Sequence, residues 1–135
     1  MLNWIITVLS FCMLLGGSYP ASLNPCRVVT EITIEWNDEN TTHSCRYTQQ
    51  QKMNHVMNYL HSLNPIPGGG DPSQESTNAT QYRIRILRSD GTVGSYTQHG
   101  ITNFHKENEP WEYIDPEDAI RLPLILAAIP SDVYN

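Results

Sequence analysis

The stretch Gln81-Tyr82-Arg83-Ile84-Arg85-Ile86-Leu87-Arg88-Ser89-Asp90-Gly91-Thr92-Val93-Gly94-Ser95-Tyr96-Thr97-Gln98-His99 decides the fold. Its first half alternates, with Tyr82, Ile84 and Ile86 on one side of an extended chain and Arg83, Arg85 and Leu87 on the other. That period of two marks a half-buried strand. Ser89-Asp90-Gly91 supplies residues that tolerate positive φ, so Thr92 to His99 returns as the second strand of a hairpin. Read as a two-residue turn at Asp90-Gly91, the hairpin sets Tyr96 opposite Arg85 and Gln98 opposite Arg83, and turns His99 to the other face with Tyr82. Arg83, Arg85, Tyr96 and Gln98 are then the candidate ligand-binding residues, because guanidiniums sharing a face can grip a carboxylate or an acidic glycan. The competing reading makes the arginines the solvated side of a strand.

Downstream, Ile101 to Lys106 and Trp111 to Ile114 read as further extended segments, separated by the polar turn Glu107-Asn108-Glu109-Pro110. Asp115-Pro116-Glu117-Asp118 opens a final helix: Asp115 can cap, Pro116 suits the first helical position, and the acids complement the helix dipole. Capping accounts for these carboxylates without a metal ion. Ala119 to Ile129 is apolar apart from Arg121, and Pro123 is expected to kink or restart the helix. Pro130-Ser131-Asp132 stops it.

Upstream, Asn64 to Thr80 holds Pro65, Pro67, Gly68-Gly69-Gly70 and Asp71-Pro72 and reads as a mobile surface loop. No Lys-Ser/Thr follows the glycines, so they lack the signature of a phosphate cradle. Before the loop, Thr48 and Gln51 match a capping box. Met53, Val56, Met57, Leu60 and Leu63 then recur at helical spacing with Tyr59 flanking the stripe. His55 and His61 fall on different faces of this helix, so they cannot ligate a metal together. Val28 to Trp36 reads as a strand with Val28, Ile32, Ile34 and Trp36 on one face, and Thr41 to Tyr47 as its partner across Asn37-Asp38-Glu39-Asn40.

The cysteines test that hairpin. A disulfide between Cys26 and Cys45 would contribute about 3 kcal/mol in the chain-entropy model. A four-residue turn sets Cys45 opposite Ile32, which leaves Cys26 roughly 20 Å away at about 3.3 Å per residue. A disulfide spans Cα atoms only to about 7 Å. Either the hairpin or the disulfide gives way, and in the hairpin Cys45 is a small buried hydrophobe beside Tyr47.

The elements run strand, strand, helix, long loop, three or four strands, helix (ββαβββα with three). Strands joined by short turns imply a mainly antiparallel sheet, and two helices with apolar faces must cover it. The fold class is therefore α+β, two-layer, with both helices on one side.

Residues 1–18 contain an apolar run, Trp4 to Leu15, ending in Gly16-Gly17-Ser18, which reads as an export signal or anchor. Residues 19–27 form an N-terminal arm, and 28–135 a single α+β domain. The expected location is secreted or the extracellular face of the cell membrane, with membrane contact only through the N-terminal segment if it is uncleaved. The chain has 135 residues, only 8 Lys and Arg, and a net charge of −6. That balance argues against a nucleic-acid partner and against docking on anionic lipid. Asn40-Thr41-Thr42 and Asn78-Ala79-Thr80 satisfy the N-glycosylation pattern.

Lys52 to Leu63, the Ser89-Asp90-Gly91 turn, Trp111 to Ala119 and the closing Pro130-Ser131-Asp132 together resemble a group of short exported, often lipoprotein-like proteins of Gram-positive gut bacteria. The resemblance covers most of Val28 to Asp132, and it implies a fold and an address rather than catalytic residues. Members usually carry a lipid-modified cysteine closing the leader, whereas here Phe11 and Pro25 precede Cys12 and Cys26.

No Gly-x-Ser-x-Gly, His-Glu-x-x-His or Cys-x-x-Cys occurs, and no cofactor or metal is implied. The expected function is a non-catalytic binding or accessory module at the cell envelope, taking a protein or glycan at the cell surface. The alternative is a small secreted hydrolase using a histidine and a carboxylate.

Overall fold

The computed structural model describes residues 28–72 and 79–132. Residues 1–18, read above as an export signal or anchor, residues 19–27 with Cys26, and Asn78 of the second glycosylation pattern lie outside the described residues.

The described residues form seven strands: β1 (Val29–Asp38), β2 (Thr41–Tyr47), β3 (Ile66–Pro67), β4 (Gln81–Arg88), β5 (Val93–His99), β6 (Asn103–Lys106) and β7 (Glu112–Tyr113). They form one antiparallel sheet in the order β2-β1-β4-β5-β6-β7-β3. Three helices accompany it: α1 (Gln50–Ser62), α2 (Pro116–Ala119) and α3 (Arg121–Ala128). The fold is α+β, as the strand and helix patterns require. The extended segment expected over Trp111 to Ile114 stands as β7; what the sequence did not signal are the two-residue strand β3 inside the long loop and the division of the last helix at Ile120.

The core lies between the sheet and the helices. Ile32, Ile34, Cys45, Tyr47, Ile84, Ile86 and Phe104 from the sheet meet Met53, Val56, Tyr59, Ala119 and Leu122 from the helices, all buried. Leu63 closes the end of α1 and Ile114 the entry to α2. Tyr59, read from sequence as flanking the apolar stripe, is fully buried, while Met57 and Leu60 are its partly buried neighbours.

Both hairpins depart from their expected register. Between β1 and β2 the turn is Glu39-Asn40, with Glu39 at φ 54, so Cys45 pairs with Ile34 and not Ile32. A shift of two residues preserves the faces. Cys45 is accordingly buried beside Tyr47 and its thiol is free, so among the described residues no disulfide forms. At the start of β1 a bulge between Val29 and Glu31 resets the alternation. Val29 therefore packs on the core, and Val28, expected there, is 41% exposed.

The capping box also fails. The N-cap of α1 is Gln49, with no side-chain cap of its own. Asp132 does that work instead: its Oδ2 accepts from the Thr48 and Gln49 amides at 2.7 and 2.9 Å, while Oδ1 pairs with Lys52 Nζ at 2.6 Å. A carboxylate at a helix N-terminus meets unpaired amides and the positive end of the dipole. These contacts hold the Asp132 carboxyl at about 2, below its ordinary range, with the Lys52 bond the largest cause. Ser131 and Asp132 also bind the Arg46 backbone along the outer edge of β2, at 2.8 to 3.1 Å.

At the last helix Asp115 caps as expected, accepting from the Glu117 amide at 2.9 Å with Pro116 behind it. The helix stops at Ala119 and restarts at Arg121, which sets Pro123 in the first turn of α3. Proline is tolerated there because the first amides of a helix have no intrahelical acceptor. The start of the long loop is paired through β3, and two of its glycines are packed: a Cβ on Gly69 would lie 2.9 Å from Tyr113 Cβ, and one on Gly70 2.5 Å from the Glu112 carbonyl oxygen.

Candidate functional site

Among the described residues the helices cover one face of the sheet, and no helix covers the other, the bare face. Which side chains reach the bare face depends on the β4–β5 turn, where Arg88 and Thr92 close a three-residue loop, Ser89-Asp90-Gly91, with Gly91 at φ 86. Asp90 Oδ1 fixes it by accepting from the Thr92 amide and hydroxyl at 3.0 and 2.7 Å. A turn followed by glycine in the left-handed region is the common three-residue hairpin connection.

The extra residue changes the pairing by one. Arg85 pairs with Ser95 and Arg83 with Thr97, while Tyr96 pairs with Ile84 and Gln98 with Tyr82. A one-residue slip exchanges faces. The four expected ligand residues are therefore divided. Arg83 and Arg85 stand exposed on the bare face, and Tyr96 and Gln98 turn inward.

Tyr96 is half-buried and stacks on Phe104, 5.8 Å between ring centres. Gln98 is 1% exposed, accepting a short hydrogen bond from the Tyr59 hydroxyl and donating to the Ala119 carbonyl at 3.1 Å. Both ends of its amide are engaged by the fold, the oxygen tying α1 and the nitrogen the end of α2. Burial pushes the Tyr59 hydroxyl well above its ordinary range. These two residues are core, and they leave the ligand-binding group.

On the bare face the arginines acquire other neighbours. Glu35, Arg83, Thr97 and His105 occupy successive positions across β1, β4, β5 and β6. Continuing the β6–β7 register by one residue puts Trp111 beside His105, and their rings meet at 4.1 Å between centres. His99 approaches the same indole edge-on at 6.3 Å. His105 Nδ1 lies 2.8 Å from the Lys106 carbonyl oxygen, so a neutral ring donating there has Nε2 open as an acceptor.

The charges on this face are unequally satisfied. Glu31 is ion-paired with Arg46. Glu35 faces Arg83 across the ladder, yet among the described residues neither Arg83 nor Arg85 makes an ion pair or hydrogen bond. Shallow depressions adjoin both: one of about 230 Å³ beside Arg85, lined by Glu31, Thr33, Leu87 and Val93, and one of about 240 Å³ beside Arg83, lined by Glu35, Thr42 and Gln81. Sequence reasoning missed Thr97, His105 and Trp111 as companions of Arg83. The signal that locates them is Gly91, whose place after Ser89-Asp90 specifies the three-residue loop.

Other concavities include one of about 390 Å³ lined by Thr80, Tyr82, Ile101, Ala119 and Pro123 and touching Gln98. At one end of the sheet a cleft of about 760 Å³ gathers His99, Gln81, Asp38 and Glu39. A groove of about 410 Å³ between α1 and α3 is lined by His55, Tyr59, Arg121, Leu124 and Ile125, with the Arg121 guanidinium 5.4 Å from the Tyr59 ring centre. Among the described residues no group of three or more His, Cys, Asp or Glu could hold a metal ion, and no helix is long and apolar enough to cross a membrane. The chain matches no known protein family, no curated protein and no solved structure.

Proposed function

We propose that this is an exported, non-catalytic binding module that takes an acidic partner at the cell surface on the bare face of its sheet. The observation that supports the reading is the pair of exposed arginines, Arg83 and Arg85, held on one strand without ionic partners in a chain of net charge −6. A guanidinium fits a carboxylate or phosphate bidentately, and a rigid interior strand holds both groups with little entropy left to lose. The apolar leader and the resemblance to short exported proteins of Gram-positive gut bacteria supply the address. The test is retention of the chain on immobilised polyglutamate and polygalacturonate. The parent binds in low salt and is released as salt rises, whereas an Arg83→Ala/Arg85→Ala chain with unchanged thermal unfolding passes through. Equal retention of the two chains contradicts the reading.

The cleft that joins His99 to Asp38 and Glu39 favours a second reading, a small hydrolase using a histidine and a carboxylate. It offers general acid-base groups, and among the described residues its lining holds no Ser, Thr or Cys, so those residues would act on an attacking water. Loss of ester or amide hydrolysis in a His99→Ala chain, with binding unaltered, would support this reading over the first.

A further inference from the structure

Resting on the binding reading, we infer that the acidic ligand is a saccharide carrying carboxylates, a uronic-acid oligosaccharide, laid across the strands from Arg83 to Trp111. The inference comes from what shares the row with the arginine. Arg83, Thr97, His105 and Trp111 follow one another across β4, β5, β6 and the entry to β7. At about 4.8 Å between strands the row is about 14 Å long. That is more than one carboxylic acid needs, and it suits an extended chain of rings.

Each position offers a different kind of contact. Arg83 and Arg85, about 7 Å apart along β4 at two residues' separation, give the acid groups two forked donors. Thr97 contributes a hydroxyl, and His105 an open ring nitrogen when Nδ1 donates to the Lys106 carbonyl. Trp111 is half-buried, with its ring centre 4.1 Å from that of His105 and 6.3 Å from that of His99, and it adds an indole at the end of the row. A saccharide has the complementary set: carboxylate, many hydroxyls, and an apolar face of C–H groups that packs on an aromatic ring.

An acidic peptide matches the row less well. Extended peptides are usually held through backbone hydrogen bonds to a free strand edge. Here β4, β5 and β6 are interior strands whose backbone groups pair with each other, so the ligand must be read by side chains. A peptide would also find its need for carboxylate recognition met at the arginines and would have no use for Trp111.

The test is calorimetric titration of the full chain with trigalacturonate, with the same trisaccharide after reduction of its carboxyl groups, and with polyglutamate. The inference predicts binding of trigalacturonate that weakens at least tenfold in Arg83→Ala/Arg85→Ala and in the neutral trisaccharide. Lysine at both positions restores only part of it, because an ammonium lacks the forked geometry. Trp111→Ala should weaken trigalacturonate several-fold while leaving any polyglutamate binding unchanged. If loss of the indole perturbs folding, Thr97→Val/His105→Ala provides the same comparison. Arginine-dependent binding of polyglutamate with none of trigalacturonate overturns the saccharide assignment and leaves the binding module standing. Absence of any arginine-dependent ligand overturns both.

Discussion

Gln98 shows most sharply how one side chain's meaning depends on register. On the bare face it would have been a ligand-binding amide, whereas in the core it joins Tyr59 of α1 to the carbonyl of Ala119 at the end of α2. Gln98→Leu strands both partners in a dry interior, where each unsatisfied polar group costs about 1–3 kcal/mol. Urea unfolding should show a loss of about 3 kcal/mol with an unchanged slope. Tyr59→Phe should cost about 1–2 kcal/mol. The double variant should cost less than the sum, since the two singles remove one shared bond.

Cys45 is the second residue with a clear signature. Burial raises its thiol, so the reactive thiolate is suppressed twice, by protonation and by access. Alkylation followed by peptide mapping should find Cys45 unmodified in native protein and fully modified in urea. Rapid native labelling at Cys45 would contradict its burial on the core face of β2.

At the scale of elements, the C-terminal clasp supplies what the helix lacks locally. Asp132 caps α1 from a sequence distance of more than eighty residues. Its ion pair with Lys52 and the Lys52 bond to the Pro130 carbonyl, 3.0 Å, close the loop. Because the folded-state pKa is depressed to about 2 from an ordinary value near 4, the stabilisation is complete above about pH 4. It shrinks as the carboxyl protonates and vanishes below about pH 2. Asp132→Asn should therefore lower the urea midpoint at pH 7 but converge with the parent in strong acid. A constant difference across that range would mean that the carboxylate charge is not what matters.

Gly70 is the corresponding constraint at the far edge of the sheet. A methyl group there must displace the Glu112 backbone, so Gly70→Ala should cost about 1–3 kcal/mol and speed amide exchange across β3 and β7.

Much of this was legible in the chain. Alternation at Tyr82 to Leu87, the helical stripe from Met53 to Leu63, and the Asp115-Pro116 helix start each report local physics, and each stands in the structure as an element of that type. The α1 cap was not legible, because Thr48 and Gln51 carry a valid local signal that a remote aspartate displaces. The candidate site was half legible. Arg83 and Arg85 do share a face, but their neighbours hang on whether Ser89 counts as turn or strand, and a single residue decides it. The bulge at the start of β1 and the two-residue strand β3 leave almost no periodicity to read, whereas β7 falls within the extended segment read at Trp111 to Ile114.

Over the whole molecule, the one-sided cover on the sheet separates two tasks. Stability comes from the helix-covered face, and the bare face is free to carry arginines at little cost. Arg83→Ala/Arg85→Ala should thus change stability by no more than about 0.5 kcal/mol while removing acidic-ligand binding. The groove between α1 and α3, where Leu124 is 61% exposed, is the competing surface.

Amide chemical-shift mapping by NMR during titration with trigalacturonate distinguishes the two surfaces directly. The account predicts that the largest shifts fall on Arg83, Arg85, Thr97 and His105 and on the Trp111 indole N–H, with Leu124 and Ile125 unmoved. Shifts gathered on α1 and α3 with β4 and β5 silent would contradict it.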